Sequence, residues 1–139
     1  MLSSLVIQMG LIIKDVELIG EKSQIKLRAL FDSGTMMTMV DISVAEKIGV
    51  KYTGKRVKVF ALDGNEVLAD EAIIQKIRIL NEELNYERVL VFNFPQKLKK
   101  RLEGMGVGNI IIGILTIEAA GFILDPIKNE LRKIGFFAL

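Results

Sequence analysis

The stretch KLRALFDSGTMMTMV, residues 26–40, sets a carboxylate, a hydroxyl, a glycine and a second hydroxyl in succession at Asp32, Ser33, Gly34 and Thr35, between two apolar runs. A carboxylate can take or give a proton, and a glycine beside it lets the backbone turn tightly. The same residue types also build ordinary solvated turns. The surroundings separate the two cases. Ala29-Leu30-Phe31 leads into the turn and Met36-Met37 follows it, so the acid is expected in sheltered chain. An acid in such a position costs free energy unless it has donors or a task.

Composition narrows the task. The 139 residues contain no His and no Cys, which removes imidazole bases, thiol nucleophiles, disulfides and Cys/His zinc sites. Catalysis must use carboxylates, hydroxyls, Lys, Tyr or a borrowed cofactor, and no cofactor or metal site is expected. The 19 basic and 17 acidic residues are spread along the chain and leave a net charge of +2, too balanced for a nucleic-acid footprint. The run KLKKR at residues 97–101 reads as a solvated helix face. The longest charge-free stretches, residues 1–13 and 104–117, fall short of the ~20 apolar residues of a membrane span, and no basic segment precedes the first of them. A cytoplasmic protein without a membrane partner is expected. Half the residues are hydrophobic and only two are proline, so the chain folds, as one domain over residues 1–139.

The elements that must position the acid follow from periodicity. Residues 4–19 read as one or two strands with a bend, and GEKS as a turn. Ile25, Leu27, Ala29 and Phe31 alternate with Lys26 and Arg28, the period of a half-buried strand that ends at Asp32. Residues 41–50 predict a short helix with Asp41 or Ser43 capping its first amides and Gly49 as its left-handed exit. Two strand-like runs meet at Asp63-Gly64, a hairpin dipeptide. Residues 75–94 continue the strand pattern. A helix is expected from Pro95, with Pro at its first position and Gly104 as terminator. An apolar strand ends at Gly113, a small helix lies around Thr116 to Ala120, and strand material closes the chain. About seven strands and two or three short helices make an all-β domain. Met36, Met37 and Met39 read as core filler. Asp41, Asp70 and Asp125 are other acids, none set like Asp32.

The order of these features resembles the retropepsin-like aspartic proteases: a strand into Asp32-Ser33-Gly34-Thr35, the helix in MVDISVAEKIGV, the hairpin at Asp63-Gly64, and the run Ile111-Ile112-Gly113 before a short helix. The likeness spans about residues 20–125. Ser33 stands where the family more often has Thr, and Ile114 where it often has Asp or Asn. The resemblance implies an acid-protease barrel with one lobe per chain. It implies Asp32 as the catalytic acid, Ser33, Gly34 and Thr35 as its turn, and Leu62, Asp63, Gly64 and Asn65 as a flap closing on substrate. Ile111, Ile112 and Gly113 would support the turn from beneath. The chain holds one such turn, so a second carboxylate must come from another copy, and the expected assembly is a homodimer hydrolysing peptide bonds in an extended substrate. Two further readings stand beside this one: a catalytically silent dimeric peptide-binding module of the same fold, and an aspartyl-phosphate phosphatase using Asp32, which requires strands alternating with helices in a parallel sheet.

Overall fold

Three apolar runs, at residues 29–31, 89–92 and 110–112, show no polar alternation, the mark of strands covered on both faces. The structure, a computed structural model describing residues 11–60 and 64–136, puts all three in one sheet. Its elements are β1 (Leu11–Ile19), β2 (Gln24–Asp32), β3 (Met39–Asp41), α1 (Ile42–Ile48), β4 (Lys51–Phe60), β5 (Glu66–Ile79), β6 (Glu82–Phe92), α2 (Gln96–Gly104), β7 (Ile110–Ile112), α3 (Ile114–Ala119), β8 (Phe122–Asp125) and β9 (Glu130–Lys133). Seven strands run in the order β1-β2-β7-β3-β6-β5-β4, and β1 also pairs with β5, so six of them close into a mixed barrel. The length of β5 makes this closure work. Up to Ile73 it pairs with β4, and from Lys76 to Ile79 with β1. Among the described residues β4 pairs with β5 alone, and β8 and β9 form a separate two-stranded sheet. The fold is thus the expected all-β barrel with short helices, and it lacks the parallel strand-helix alternation that a phosphatase reading needs.

Successive residues of the central strands enter two different cores. Ala29, Phe31, Val89, Val91, Ile110 and Ile112 join Ile12, Val16, Leu18 and Ile48 in the first. Leu30, Leu90, Phe92 and Ile111 join Phe94, Leu102 and Val107 in the second, against which Val57, Val59 and Val67 of the β4–β5 hairpin pack. Each large side chain buried in this way contributes ~1.5–3 kcal/mol. The double coverage explains why these strands read as solid apolar runs.

Several elements differ from expectation. The described residues hold nine strands rather than seven, because the terminal material forms β8 and β9 and the segment around Val40 forms β3. Pro95 is the cap of α2 and not its first helical residue. The helix also includes Gly104 and is capped by Met105, and the left-handed residue that follows is Gly106, with a φ of 73°. The N–H of Gly106 bonds Glu103 O at 2.9 Å and that of Val107 bonds Leu102 O at 2.9 Å, the paired closure of a helix end by a glycine. α3 begins at Ile114, two residues before the segment expected around Thr116. The last rung of the β4–β5 hairpin is Phe60 with Glu66, so the connection is longer than a two-residue turn. No helix among the described residues is long and apolar enough to cross a membrane.

Asp41 and Gly49 bound α1 as expected. The cap side chain accepts from Ser43 N at 3.1 Å and from the Ser43 hydroxyl, and reaches across to accept from Phe94 N at 2.7 Å. Gly49 takes a φ of 80°. The turn after β1 then covers the helix end: the N–H groups of Lys22 and Ser23 bond Ile48 O at 2.8 and 3.2 Å, and Glu21 N bonds Gly49 O at 3.0 Å.

Asp41 is fully buried. Burial pushes its carboxyl up, but the Ser43 hydroxyl, the Phe94 and Ser43 amides and the Lys99 ammonium outweigh this and hold it below the ordinary 3.8. A depressed folded value means stability that is complete above 3.8 and lost as pH falls through the lower folded value. Asp41→Ala is expected to cost about 2–4 kcal/mol, from a lost cap and a buried Phe94 N–H left without an acceptor. Urea unfolding at neutral pH checks this. Repeated at about pH 3, it should show the Asp41→Asn variant losing less with acid than the natural chain does.

Candidate active site

Strands β2 and β3 do not pair with each other, because β7 lies between them. It runs parallel to β2, with Leu30 opposite Ile111 and Phe31 opposite Ile112, and antiparallel to β3, with Met39 opposite Ile111 and Val40 opposite Ile110. The chain leaving β2 at Asp32 must therefore cross the end of β7 before it re-enters the sheet at Met39. Residues 33–38 make that crossing, and Asp32 is the last residue of β2.

The crossing loop folds back on the Asp32 carboxylate. Gly34 N donates to Oδ1 at 2.8 Å and the Thr35 hydroxyl donates to Oδ2 at 2.8 Å. Thr35 N also donates to Asp32 O at 3.1 Å. Both carboxylate oxygens thus have a donor from within three residues, which fixes the plane of the group while leaving it partly exposed. Ser33 is exposed beside it. A side chain at Gly34 would bring a Cβ to 3.2 Å from Oδ1, a tight approach that glycine avoids.

The same loop is clamped from the other side by the start of α3. Ile114 N donates to Thr35 O at 2.7 Å and Leu115 N to Met36 O at 3.1 Å, so amides that a helix start leaves without partners are satisfied by loop carbonyls. Gly113 sits against the loop backbone: a Cβ there would lie 2.6 Å from Met36 O and 2.6 Å from Met37 C. Of the predicted neighbours, Gly113 lies against the Asp32 loop, while Ile111 and Ile112 pair with Leu30 and Phe31 of the strand that leads into it. Of the four flap residues, Leu62 and Asp63 lie outside the described residues. Gly64 is exposed with a φ of 85°, and Asn65 is exposed next to it. The hairpin bearing them packs Val57, Val59 and Val67 on the cluster that also takes Met37 and Met39.

Three residues escaped the reading of the sequence. Gly113 N donates to Thr38 Oγ1 at 3.1 Å, Thr38 Oγ1 meets Thr116 Oγ1 at 2.7 Å, and Thr116 Oγ1 meets Glu87 Oε2 at 2.8 Å. Both threonines are buried. A Thr in an apolar run was the available signal, but Thr38 sits among methionines and reads as a strand residue. The other acids do different work. Asp70 bonds the exposed Arg56 at 3.1 Å, and Asp125 accepts from Lys128 N at 3.2 Å. Among the described residues no three acidic side chains gather to hold a metal ion.

A closed mixed barrel whose threaded strand underlies an Asp-Ser-Gly-Thr loop defines a retropepsin-like fold. The aspartyl protease family matches residues 16–118, and the chain belongs to that family. Among solved structures, a retropepsin-like aspartic protease from Rickettsia conorii is similar at 16% identity and a TM-score of 0.52, over 83% of this chain and 76% of that one. The EIAV protease complexed with the inhibitor HBY-793 is similar at 17% identity and a TM-score of 0.53, over 78% and 86%. The retroviral protease-like domain of Ddi1 from Leishmania major is similar at 14% identity and a TM-score of 0.55, over 91% and 90%. These likenesses are of fold. No curated protein matches the sequence.

The clamp at Gly113 makes a test of the local structure. Gly113→Ala is expected to destabilise the chain by about 1–3 kcal/mol, because backbone atoms and not a flexible side-chain tip stand where the methyl would go. A thermal or urea melt against the natural chain measures it. A melt unchanged by the methyl would contradict the contact.

Proposed function

We propose that this chain is one half of a homodimeric aspartic endopeptidase in which the Asp32 carboxylates of two copies meet across a two-fold axis. The observation that carries the reading is the Asp32 loop itself: a family-matched acid, held by its own Gly34 amide and Thr35 hydroxyl, present once in a one-lobe barrel. Two carboxylates at close range cannot both ionise cheaply, so the pair shares a proton. The ionised partner takes a proton from a water as it attacks the scissile carbonyl. The protonated partner hydrogen-bonds the carbonyl oxygen, and the proton is delivered to the amine as it leaves. The chemistry needs no metal, cofactor or nucleophilic side chain, which suits a chain without His or Cys.

In this reading Ser33 bonds across the axis and ties the two loops together, and Ile111, Ile112 and Gly113 hold each loop from beneath. The hairpin tip at Leu62, Asp63, Gly64 and Asn65 closes over the substrate, with Gly64 giving the conformational freedom that a lid requires. The peptide lies extended, bound through its backbone with pockets for alternate side chains. The partners are a second copy and a peptide, with no role for nucleic acid or membrane, in a cytoplasmic protein whose domain is the whole of residues 1–139.

A peptide-library digest from acidic to neutral pH tests the chemistry. The natural chain should cleave, and Asp32→Asn should lose about 10³-fold or more of the rate, the scale of a lost general acid-base group. Equal cleavage by both would remove Asp32 from the reaction, and peptide binding without cleavage would favour the silent module. Specific activity should also fall on dilution as the dimer dissociates by mass action. Activity constant into the range where sedimentation shows monomers would overturn the shared site.

A further inference from the structure

The buried hydroxyls next to the Asp32 loop have a direction, set at the end farthest from it. A carboxylate can only accept hydrogen bonds, so Thr116 must spend its one hydroxyl proton on Glu87 Oε2. The Thr116 oxygen is then left as an acceptor, and Thr38 must donate to it. Thr38 in turn has only acceptor capacity left, which the Gly113 N–H uses. Each link points toward Glu87. Without a fixed acceptor at that end, both hydroxyl rotors could reverse, and the Thr38 oxygen would then accept from Thr116 as well as from the Gly113 amide, which changes the geometry and strength of the bond that holds Gly113.

The chain around Glu87 is shaped to put it there. Glu87 stands two residues before Val89 and four before Val91, which face the first core, so it shares their inward side of β6. Leu84, which also packs on that core, has the opposite parity. The switch falls at Tyr86, which has a φ of 56° and is skipped in the ladder opposite Gln75, while the register on both sides is unchanged. A left-handed backbone at an exposed aromatic residue is strained. The paired strand switches at the same place, Ile74 and Ile77 of β5 both facing the first core, and on β6 the result is that Glu87, and not its neighbour Arg88, shares the side of Val89 and meets Thr116.

We infer that Glu87, acting through Thr116 and Thr38, is a positioning residue for the Asp32 loop: it fixes the polarity of a buried hydroxyl relay that holds Gly113, and Gly113 holds Met36 and Met37. This rests on the protease reading for its effect on rate but not for its effect on structure. The relay touches neither substrate nor the Asp32 carboxylate. Its consequence is the placement of the loop that orients that carboxylate, where displacements of about 1 Å at the reacting groups cost on the order of 100-fold in rate.

The test uses Glu87→Ala, Glu87→Gln, Thr116→Val and Thr116→Ser, with the exposed Glu118→Ala as a control on α3. Amide NMR of the full chain is read at Gly113 and at Gly34, whose N–H lies on Asp32 Oδ1. Glu87→Ala and Thr116→Val should shift both amides. Glu87→Gln and Thr116→Ser, which keep an acceptor and a hydroxyl, should leave them near their natural positions, as should Glu118→Ala. In peptide cleavage, Glu87→Ala should lower kcat about tenfold and Thr116→Val about 100-fold with KM changed less than about twofold, and Thr116→Ser should restore the rate. Unmoved amides in Glu87→Ala overturn the inference whether or not the protein cleaves anything. If Thr116→Val fails to fold, the partly exposed Glu87 variants still decide. A natural chain without peptidase activity, with the amides shifting as described, would sink the protease reading and leave the relay standing.

Discussion

The structure depends on one close approach, the backbone of Gly113 against the backbone of Met36 and Met37. Threading β7 between β2 and β3 pairs Ile111 on both sides, Ile112 with β2 and Ile110 with β3, and sends their side chains into both cores. It also prevents β2 and β3 from pairing, so the connecting loop has to pass over the end of the threaded strand. That passage is narrow enough to exclude a single Cβ. Once it is made, the loop carbonyls at Thr35 and Met36 meet the free amides at the start of α3, and the Asp32 carboxylate is left at the end of its strand with two donors from the same loop. The position of the acid is therefore a result of strand order more than of any property of the turn residues.

Two aspartates nine residues apart show how environment divides labour between identical groups. Asp41 is buried completely, accepts from three donors and lies 3.7 Å from the Lys99 ammonium. Its bonds to Ser43 cap α1, and its contacts with Phe94 N and Lys99 join that helix to the segment after β6, which makes it a buried structural group. Asp32 keeps a partly open position and accepts from its own turn. A fold can carry an acid at modest cost in either way, but only the second leaves the group able to exchange a proton with something outside the chain.

Local chemistry was readable from the chain, and non-local pairing was not. Asp41 as a cap and Gly49 as an exit are short-range signals, and α1 lies where they predict. The alternation from Ile25 to Phe31 located β2 and its terminal acid because one face of that strand's first half meets solvent. The run Ile110–Ile112 is different. Its residues are all apolar because both faces are covered, and nothing in it states that its neighbours are β2 on one side and β3 on the other, one parallel and one antiparallel. Gly104 and Gly106 illustrate a smaller failure: two glycines near a helix end are equivalent in composition, and the choice between them falls to whichever can place Val107 back on Leu102. Thr38, Thr116 and Glu87 lie far apart in sequence, so their meeting is a fact of the barrel alone. The tip of the β4–β5 hairpin was placed by the dipeptide Asp63-Gly64, yet the rung from Phe60 to Glu66 fixes a longer connection than the dipeptide implies.

The outer margin of β4 carries a consequence for behaviour in a crowded cell. Because β5 gives up β4 for β1 after Ile73, β4 has a full ten-residue run of backbone with one side open among the described residues. Such a margin is a template on which other chains can grow ordered fibrils. Four of its residues are Lys51, Lys55, Arg56 and Lys58, all exposed, and the ladder is broken between Tyr52 and Arg56. Stacking a second molecule there would bring like charges into register along a kinked line. That repulsion opposes edge-to-edge growth along a strand whose geometry would otherwise invite it.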